Sequence, residues 1–412
     1  MKTPDMEPAP HRPANARIDI ELVFLLLLLS AMPDTMVIPL VKELVVDRYE
    51  VTDASAHLFL ILNLVGALLA LPFIAILKPL LGLRKLLFAS SLAGAILLCV
   101  MSMPIGFVFT IGLRLVEGMT DVLIFAVLMD MISRIGPKEV PGFRFGIAAT
   151  VLMGGLALGM LIGGSLADQL GENVALIFLV GGGIYLLIAL LAATLKPFNT
   201  QVDPVVDEST TVHTAPGRLF FLVGPLLMNF SDRAISGLIT ASLPLYLSRS
   251  GDYSAVWRGG FIASILLAMA VANIPAGWLS DRFGALPVRI ISGTGYALAI
   301  ASIPLLVDHP IPLLALMVLI GILGSGLMPS ALSLLCLSGQ GAVGMGGFRG
   351  AGEFGFLSGM VLSGILLGSL KSLGFDDDSG GAYSVIILAF AALHLCITAA
   401  SALVILMGMK RR

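Results

Sequence analysis

Arg114, Glu117 and Asp121 lie within eight positions of one another in RLVEGMTDVLIF, and the sequence is oily on both sides, MSMPIGFVFTIGL before and AVLMDMI after. On a helix turning 100° per residue, Arg114, Gly118 and Asp121 fall within an arc of about 60°, with Glu117 about 40° beyond Asp121. Residues three or four apart on a helix interact, so one guanidinium faces two carboxylates and leaves one uncompensated. A surplus carboxylate in a site of low dielectric is a group that can bind and release a proton. Two further acids repeat the theme: Asp34, deep in the first apolar run within PDTMVIPL, and Asp232, in NFSDR, followed at once by Arg233. Adjacent helical residues point 100° apart, so Asp232 and Arg233 do not simply pair with each other.

The setting that makes these charges notable comes from the whole chain. Its 412 residues are 58% hydrophobic and 12% charged, where a soluble domain has roughly a quarter of its residues charged. Apolar runs of spanning length fall at 18–41, 55–77, 84–104, 106–132, 143–167, 173–195, 218–247, 257–279, 288–307, 311–338, 348–370 and 382–409. A charge at the bilayer centre costs at least about 2.5–3.5 kcal/mol and persists where it is paired or faces a water-filled cavity. The net charge of −2 points to no nucleic-acid partner. Cys99, Cys336 and Cys396 sit in separate apolar runs without C-x-x-C spacing, so neither a disulfide framework nor a metal is expected. Neither H-E-x-x-H nor G-x-S-x-G occurs, which argues against an intramembrane enzyme; no cofactor is expected.

Residues 1–17 read as a polar cytoplasmic tail, 18–195 as a first six-helix bundle, 196–217 as a cytoplasmic linker and 218–412 as a second bundle. With both termini inside, the inner segments hold seventeen lysines and arginines against five outside, and Arg114 and Arg233 complete the 24. The positive-inside rule therefore places both termini in the cytoplasm of a cell bounded by the plasma (inner) membrane. The halves echo each other: Gly142-Phe143-Arg144 recurs as Gly347-Phe348-Arg349 at an offset of 205, and Gly82 and Gly284 are 202 apart. Repeated halves suit alternating access, with the substrate at their interface.

These features resemble the major facilitator superfamily over nearly the whole chain. GWLSDRFG, with Gly277, Asp281, Arg282 and Gly284, matches that family's cytoplasmic-loop signature; the first-half loop AILKPLLGLRK has Pro79 where the aspartate is expected. Arg114-x-x-Glu117-Gly118 matches its fourth-helix motif. Gly155, Gly159, Gly163 and Gly164 match the antiporter motif of the fifth span, with Met160 in place of the proline. The first span is similar to that of multidrug exporters. The resemblance implies an all-α membrane protein of twelve helices in two pseudo-symmetric six-helix bundles, in which the first, fourth, seventh and tenth helices line a central cavity. It further implies a proton-coupled exporter of small amphipathic molecules, acting as a monomer in the lipid bilayer. The alternative is a proton-linked symporter, or a dedicated exporter of one metabolite or lipid.

On that reading Asp34, Glu117 and Asp121 are the protonation sites, tuned by Arg114, and Asp34 stands across from Arg114. The cavity is expected to be lined by Asp34, Met36, Phe125, Met228, Asn229, Phe230, Asp232 and Arg233. Asp130 with Arg144 is expected to form a structural pair, Arg349 and Glu353 a local pair or a gate, and Asp281 a loop latch. The fifth-span glycines are expected to bring helices close together, and His394 to serve packing.

Overall fold

A computed structural model describes residues 14–134, 141–195, 218–336, 341–375 and 380–410. The expected tail up to residue 13 and the linker 196–217 lie outside the described residues. Within them every regular element is helical, as a chain with so little polar surface requires in lipid, where helices satisfy their own backbone. Nine helical stretches among the described residues are long and apolar enough to cross a membrane. Large apolar side chains cover the outside, Val271, Ile274 and Leu305 among them.

The first run is broken rather than continuous. Helix α1 (Ala14–Ser30) is followed by a short α2 (Met32–Met36), a 3-10 turn at Ile38–Leu40 and a π-helical turn at Lys42–Asp47. Pro33 and Pro39 sit at the starts of two of these pieces, where a ring without an N–H interrupts the ladder. Thr35 Oγ1 donates to the carbonyls of Ala31, at 3.0 Å, or Met32, at 3.1 Å. Asp34 sits in this broken region, the kind of backbone that membranes tolerate where protein or a cavity covers it.

Helix α3 (Asp53–Met101) contains two spans, Asp53–Ile74 and Ile76–Met101, and leaves helical geometry at Gly82, φ +72°. Then come α4 (Phe107–Arg134), α5 (Pro141–Leu170) and α6 (Ile177–Thr194). The second half comprises α7 (Arg218–Ser250), α8 (Ala255–Phe283), α9 (Ala285–Ala301), α10 (Ile303–Leu306), α11 (Pro310–Ser325), α12 (Leu327–Cys336), α13 (Gly341–Ser372) and α14 (Gly381–Lys410). The chain passes from α8 to α9 at Gly284, φ +90°. The two motif glycines thus do the same job, a left-handed turn that a Cβ disfavours.

Helix α3 packs on α4 and α6, and α7 on α13 and α14; the halves meet where α5 lies against α8 and α3 against α13. Gly155, Gly159 and Gly163 press α5 onto the broken first span: a Cβ at Gly163 would stand 2.8 Å from the Met36 Cα, and one at Gly159 would stand 2.9 Å from the Met32 Cα. Gly164, on the next position, instead faces Ala255 and Val256 of the other half, the latter's Cα at 3.1 Å. The glycines of the fifth span therefore serve two interfaces, one inside the first half and one between the halves.

Candidate functional site

A cavity of about 380 Å³ lies between the halves, and Asp34, Arg114, Asp121, Arg233, Arg349 and Glu353 supply its charges. Its wall is otherwise mostly apolar, with Phe125, Met153, Met160, Met269, Phe356 and Met360 prominent. The broken first span delivers Asp34 to the wall, and α4 delivers Arg114 and Asp121. Helix α7 brings Arg233, and α13 brings Arg349 and Glu353.

On the first-half wall the expected pairing of Asp34 with Arg114 is present: Arg114 Nη2 donates to Asp34 Oδ1. Arg114 Nη1 also donates to Glu117 Oε2 at 2.7 Å, and its guanidinium lies 4.8 Å from the centre of the Phe59 ring. Glu117 is fully buried, and the same Oε2 accepts from Asn63 Nδ2 at 2.7 Å. Asp121 reaches the cavity and accepts the Tyr185 hydroxyl at 2.8 Å. Two carboxylates thus hold one guanidinium, and a third, Asp121, lies on the same wall. Helical spacing revealed Arg114, Glu117 and Asp121, but not Asn63 or Tyr185, whose relation to α4 exists only after α3 and α6 have packed against it. Gly118 permits that approach, since a Cβ there would stand 2.7 Å from the carbonyl carbon of Asn63.

The second-half wall departs from expectation. Asp232 is buried away from the cavity and accepts two hydrogen bonds from Arg289, from Nη1 at 2.7 Å and from Nη2 at 2.6 Å. His394 stands 3.8 Å from the same carboxylate and pairs with the Ser231 hydroxyl at 2.9 Å. His394 therefore belongs to a polar knot rather than serving packing alone. Met228 is buried with Phe221 and Leu286, Asn229 donates to the Phe348 carbonyl at 2.6 Å, and Phe230 packs against Phe354. Met36 is buried in the main apolar core. These five residues share helices with true cavity residues but face other helices, because a 100° step carries neighbours in sequence off the wall. Phe125 and Arg233 do line it.

At the helix ends near Gly82 and Gly284, Asp130 pairs with Lys78 at 3.1 Å; the side chain of Arg144, its expected partner, lies outside the described residues. Arg349 and Glu353 form no ion pair with each other, and the Arg349 guanidinium instead lies 5.9 Å from the centre of the Phe125 ring across the cavity. Asp281 is exposed, and Arg282 stacks on Trp278, 5.1 Å from the ring centre. Gly277 faces open space.

The opposite end is tied shut between the halves by residues that sequence reasoning did not single out. Arg249 Nη2 donates to Asp53 Oδ1 at 2.8 Å and Arg249 Nε to Oδ2 at 3.2 Å, while the Tyr383 hydroxyl donates to Oδ2 at 2.7 Å. Arg258, fully buried, pairs with Glu43. His57 Nδ1 lies 2.8 Å from the Asp53 carbonyl, which can only accept; in the neutral ring, Nε2 then accepts from the Ser242 hydroxyl at 3.0 Å.

Residues 23–267 match the sequence pattern of the Major Facilitator Superfamily. An uncharacterised MFS-type transporter of Yersinia pestis is 25% identical over 284 residues, 66% of this chain and 68% of that protein. The multidrug resistance protein MdtG of Serratia proteamaculans is 26% identical over 303 residues, 72% of each. The homologue of the multidrug efflux pump PmrA in Lactococcus lactis is 27% identical over 232 residues, 55% of this chain and 56% of that one. Among solved structures, the nucleoside transporter NupG superposes with a TM-score of 0.67 at 14% identity, covering 94% of this chain and 98% of that one. A bacterial homologue of the human lysosomal transporter Spinster, inward-facing and occupied, gives 0.65 at 16%, covering 97% and 98%. At these identities the structural likeness is one of fold. With the pattern matched over more than half its length, this chain is a member of the Major Facilitator Superfamily.

Proposed function

We propose that the protein is a proton-coupled exporter of small amphipathic molecules, working by alternating access between two six-helix bundles. The observation that carries the reading is the cluster at the cavity wall, where Asp34 and Glu117 hold the single guanidinium of Arg114 and Asp121 opens on the cavity beside them. With all three ionised the cluster carries two surplus negative charges, which protons or a basic substrate group offset; each then competes with the other, and linkage makes the coupling reciprocal. Glu117 Oε1 is buried without a hydrogen-bond partner among the described residues, a further place for a proton. The names of the relatives MdtG and PmrA favour efflux. The twelve-span count adds α4, α7 and the α9–α10 pair to the nine apolar stretches. The charge asymmetry of the loops supports a cytoplasmic location for both termini and for the Gly82–Gly284 end. The structure is then inward-facing, its outer end closed by Asp53, Glu43 and His57, and an Asp281 without an ion pair among the described residues fits a cytoplasmic latch released in this state.

The test is proton movement in proteoliposomes under an imposed pH gradient, challenged with cationic, neutral and anionic amphiphiles. The expected result is dissipation of the gradient as compound moves against protons, abolished by Asp34→Asn or Asp121→Asn. Proton and compound moving together would make the protein a symporter; compound flux without proton flux would remove the coupling role of the cluster.

A further inference from the structure

Three arginines are buried among the described helices and each is held by a carboxylate, whereas the half-buried Arg233 is not. Arg114 is held by Asp34 and Glu117, Arg258 by Glu43 and Arg289 by Asp232. Arg233, at the cavity wall, makes no ion pair and no hydrogen bond with the described residues; its guanidinium lies 4.6 Å from the centre of the Phe356 ring. Its stem is seated, not loose. Gly352, one turn before Phe356 on α13, leaves room for it, since a Cβ there would stand 3.3 Å from the Arg233 Cγ. Gly355 and Gly359 draw the same stretch of α13 against the backbone of Phe230 and Ala234. A guanidinium seated over a ring, its N–H groups without a hydrogen bond to the described residues, can take an oxyacid through two parallel hydrogen bonds.

The charges of the two walls differ in sign. Asp34 and Asp121 face the cavity from the first half, and Arg114 is already engaged there. On the second half Arg233 and Arg349 outnumber Glu353. A lone anion on Arg233 would stand opposite the first-half carboxylates, and a lone cation would leave Arg233 with only the through-space charge of Glu353 and no hydrogen-bonded partner. Between the walls lies a surface of methionines and phenylalanines, adaptable to varied apolar bodies. We infer that the cargo is a zwitterionic amphiphile, its acidic group seated on Arg233 against Phe356 and its basic group directed to Asp34 and Asp121. The inference rests on the transporter reading for the role of the cavity, and it narrows the substrate class.

The test is equilibrium binding of three radiolabelled probes with one apolar tail, N-octyl-N,N-dimethylglycine, octyltrimethylammonium and octanoate. The full chain is held in phosphatidylglycerol nanodiscs, so that no zwitterionic lipid competes. The wild type is expected to bind the zwitterion tighter than either singly charged probe. Arg233→Gln should weaken the zwitterion and octanoate by about ten- to a hundredfold, the worth of a hydrogen-bonded charged contact, and leave octyltrimethylammonium unchanged; Arg233→Lys should restore part of the loss. Asp34→Asn should weaken the zwitterion and the cation. The proposal is overturned if the wild type binds neither acid-bearing probe, if octanoate binds tighter than the zwitterion, or if Arg233→Gln affects all three alike. Binding is read without a proton gradient, so a charge preference can survive failure of proton coupling, and the reverse.

Discussion

At the scale of single residues, the two acids of α4 are held in opposite ways. Glu117 gives one oxygen to two donors, whereas Asp121, among the described residues, meets only the Tyr185 hydroxyl and opens on the cavity. Removing one member of a buried ion pair costs about 3–5 kcal/mol, so Glu117→Ala should lower the melting temperature in detergent steeply. Asp121→Asn should leave it near the wild-type value while abolishing proton release on ligand addition. Asp232 belongs with Glu117: Asp232→Ala strands the Arg289 guanidinium and should destabilise by a similar about 3–5 kcal/mol, with Asp232→Met/Arg289→Met recovering most of it. A proton stoichiometry unchanged in that double variant would separate the knot from transport. Arg114, Glu117 and Asp121 were legible because they share one helix, where spacing alone fixes geometry. The partner of Asp232 was not, because Arg289 near the start of α9 looked like one more inside-positive charge; its long side chain reaches inward rather than out to water.

At the scale of elements, the helix order and the turns at Gly82 and Gly284 follow from apolar run length and glycine punctuation, and these were readable. The breaks in the first span were not, although Pro33 and Pro39 were the clue, since a proline on each side of Asp34 interrupts the ladder twice. Nor did motif spacing separate the fifth-span glycines by partner. Gly159 faces the first span and Gly164 faces α8 across the interface, so their substitutions should differ in kind. Gly164→Leu should wedge α5 from α8 and raise the reactivity of a cysteine placed at Ser242, read by maleimide labelling. Gly159→Leu should instead lower the yield of folded protein.

For the whole molecule, the end closed by Asp53, Arg249, Tyr383, Glu43 and Arg258 opposes a cavity that reaches Arg349 and Phe125 toward the other end. Asp53 is the node, one buried carboxylate joining α3 to both α7 and α14. A two-state equilibrium moves tenfold for each roughly 1.4 kcal/mol, and losing this node removes several such contacts. Asp53→Ala should therefore shift spin-label distances at that end toward the open state by at least about tenfold in population, and Tyr383→Phe should shift them less. An unchanged distance distribution would mean that helix packing, not the charged contacts, holds the closure.

The absence of α4 and α7 from the nine apolar stretches bears on how the chain is made. Each carries charge in its interior, so neither is suited to leave the translocon for lipid by itself. For α4 the counter-ion is already there, because Asp34 is synthesised before Arg114. For α7 the order is reversed: Asp232 emerges 57 residues before Arg289, and α8 must be made in between. Nascent chains arrested just after α8 should therefore leave α7 extractable by alkaline carbonate, and chains extended through α9 should retain it, making the second half the late and vulnerable step of biogenesis.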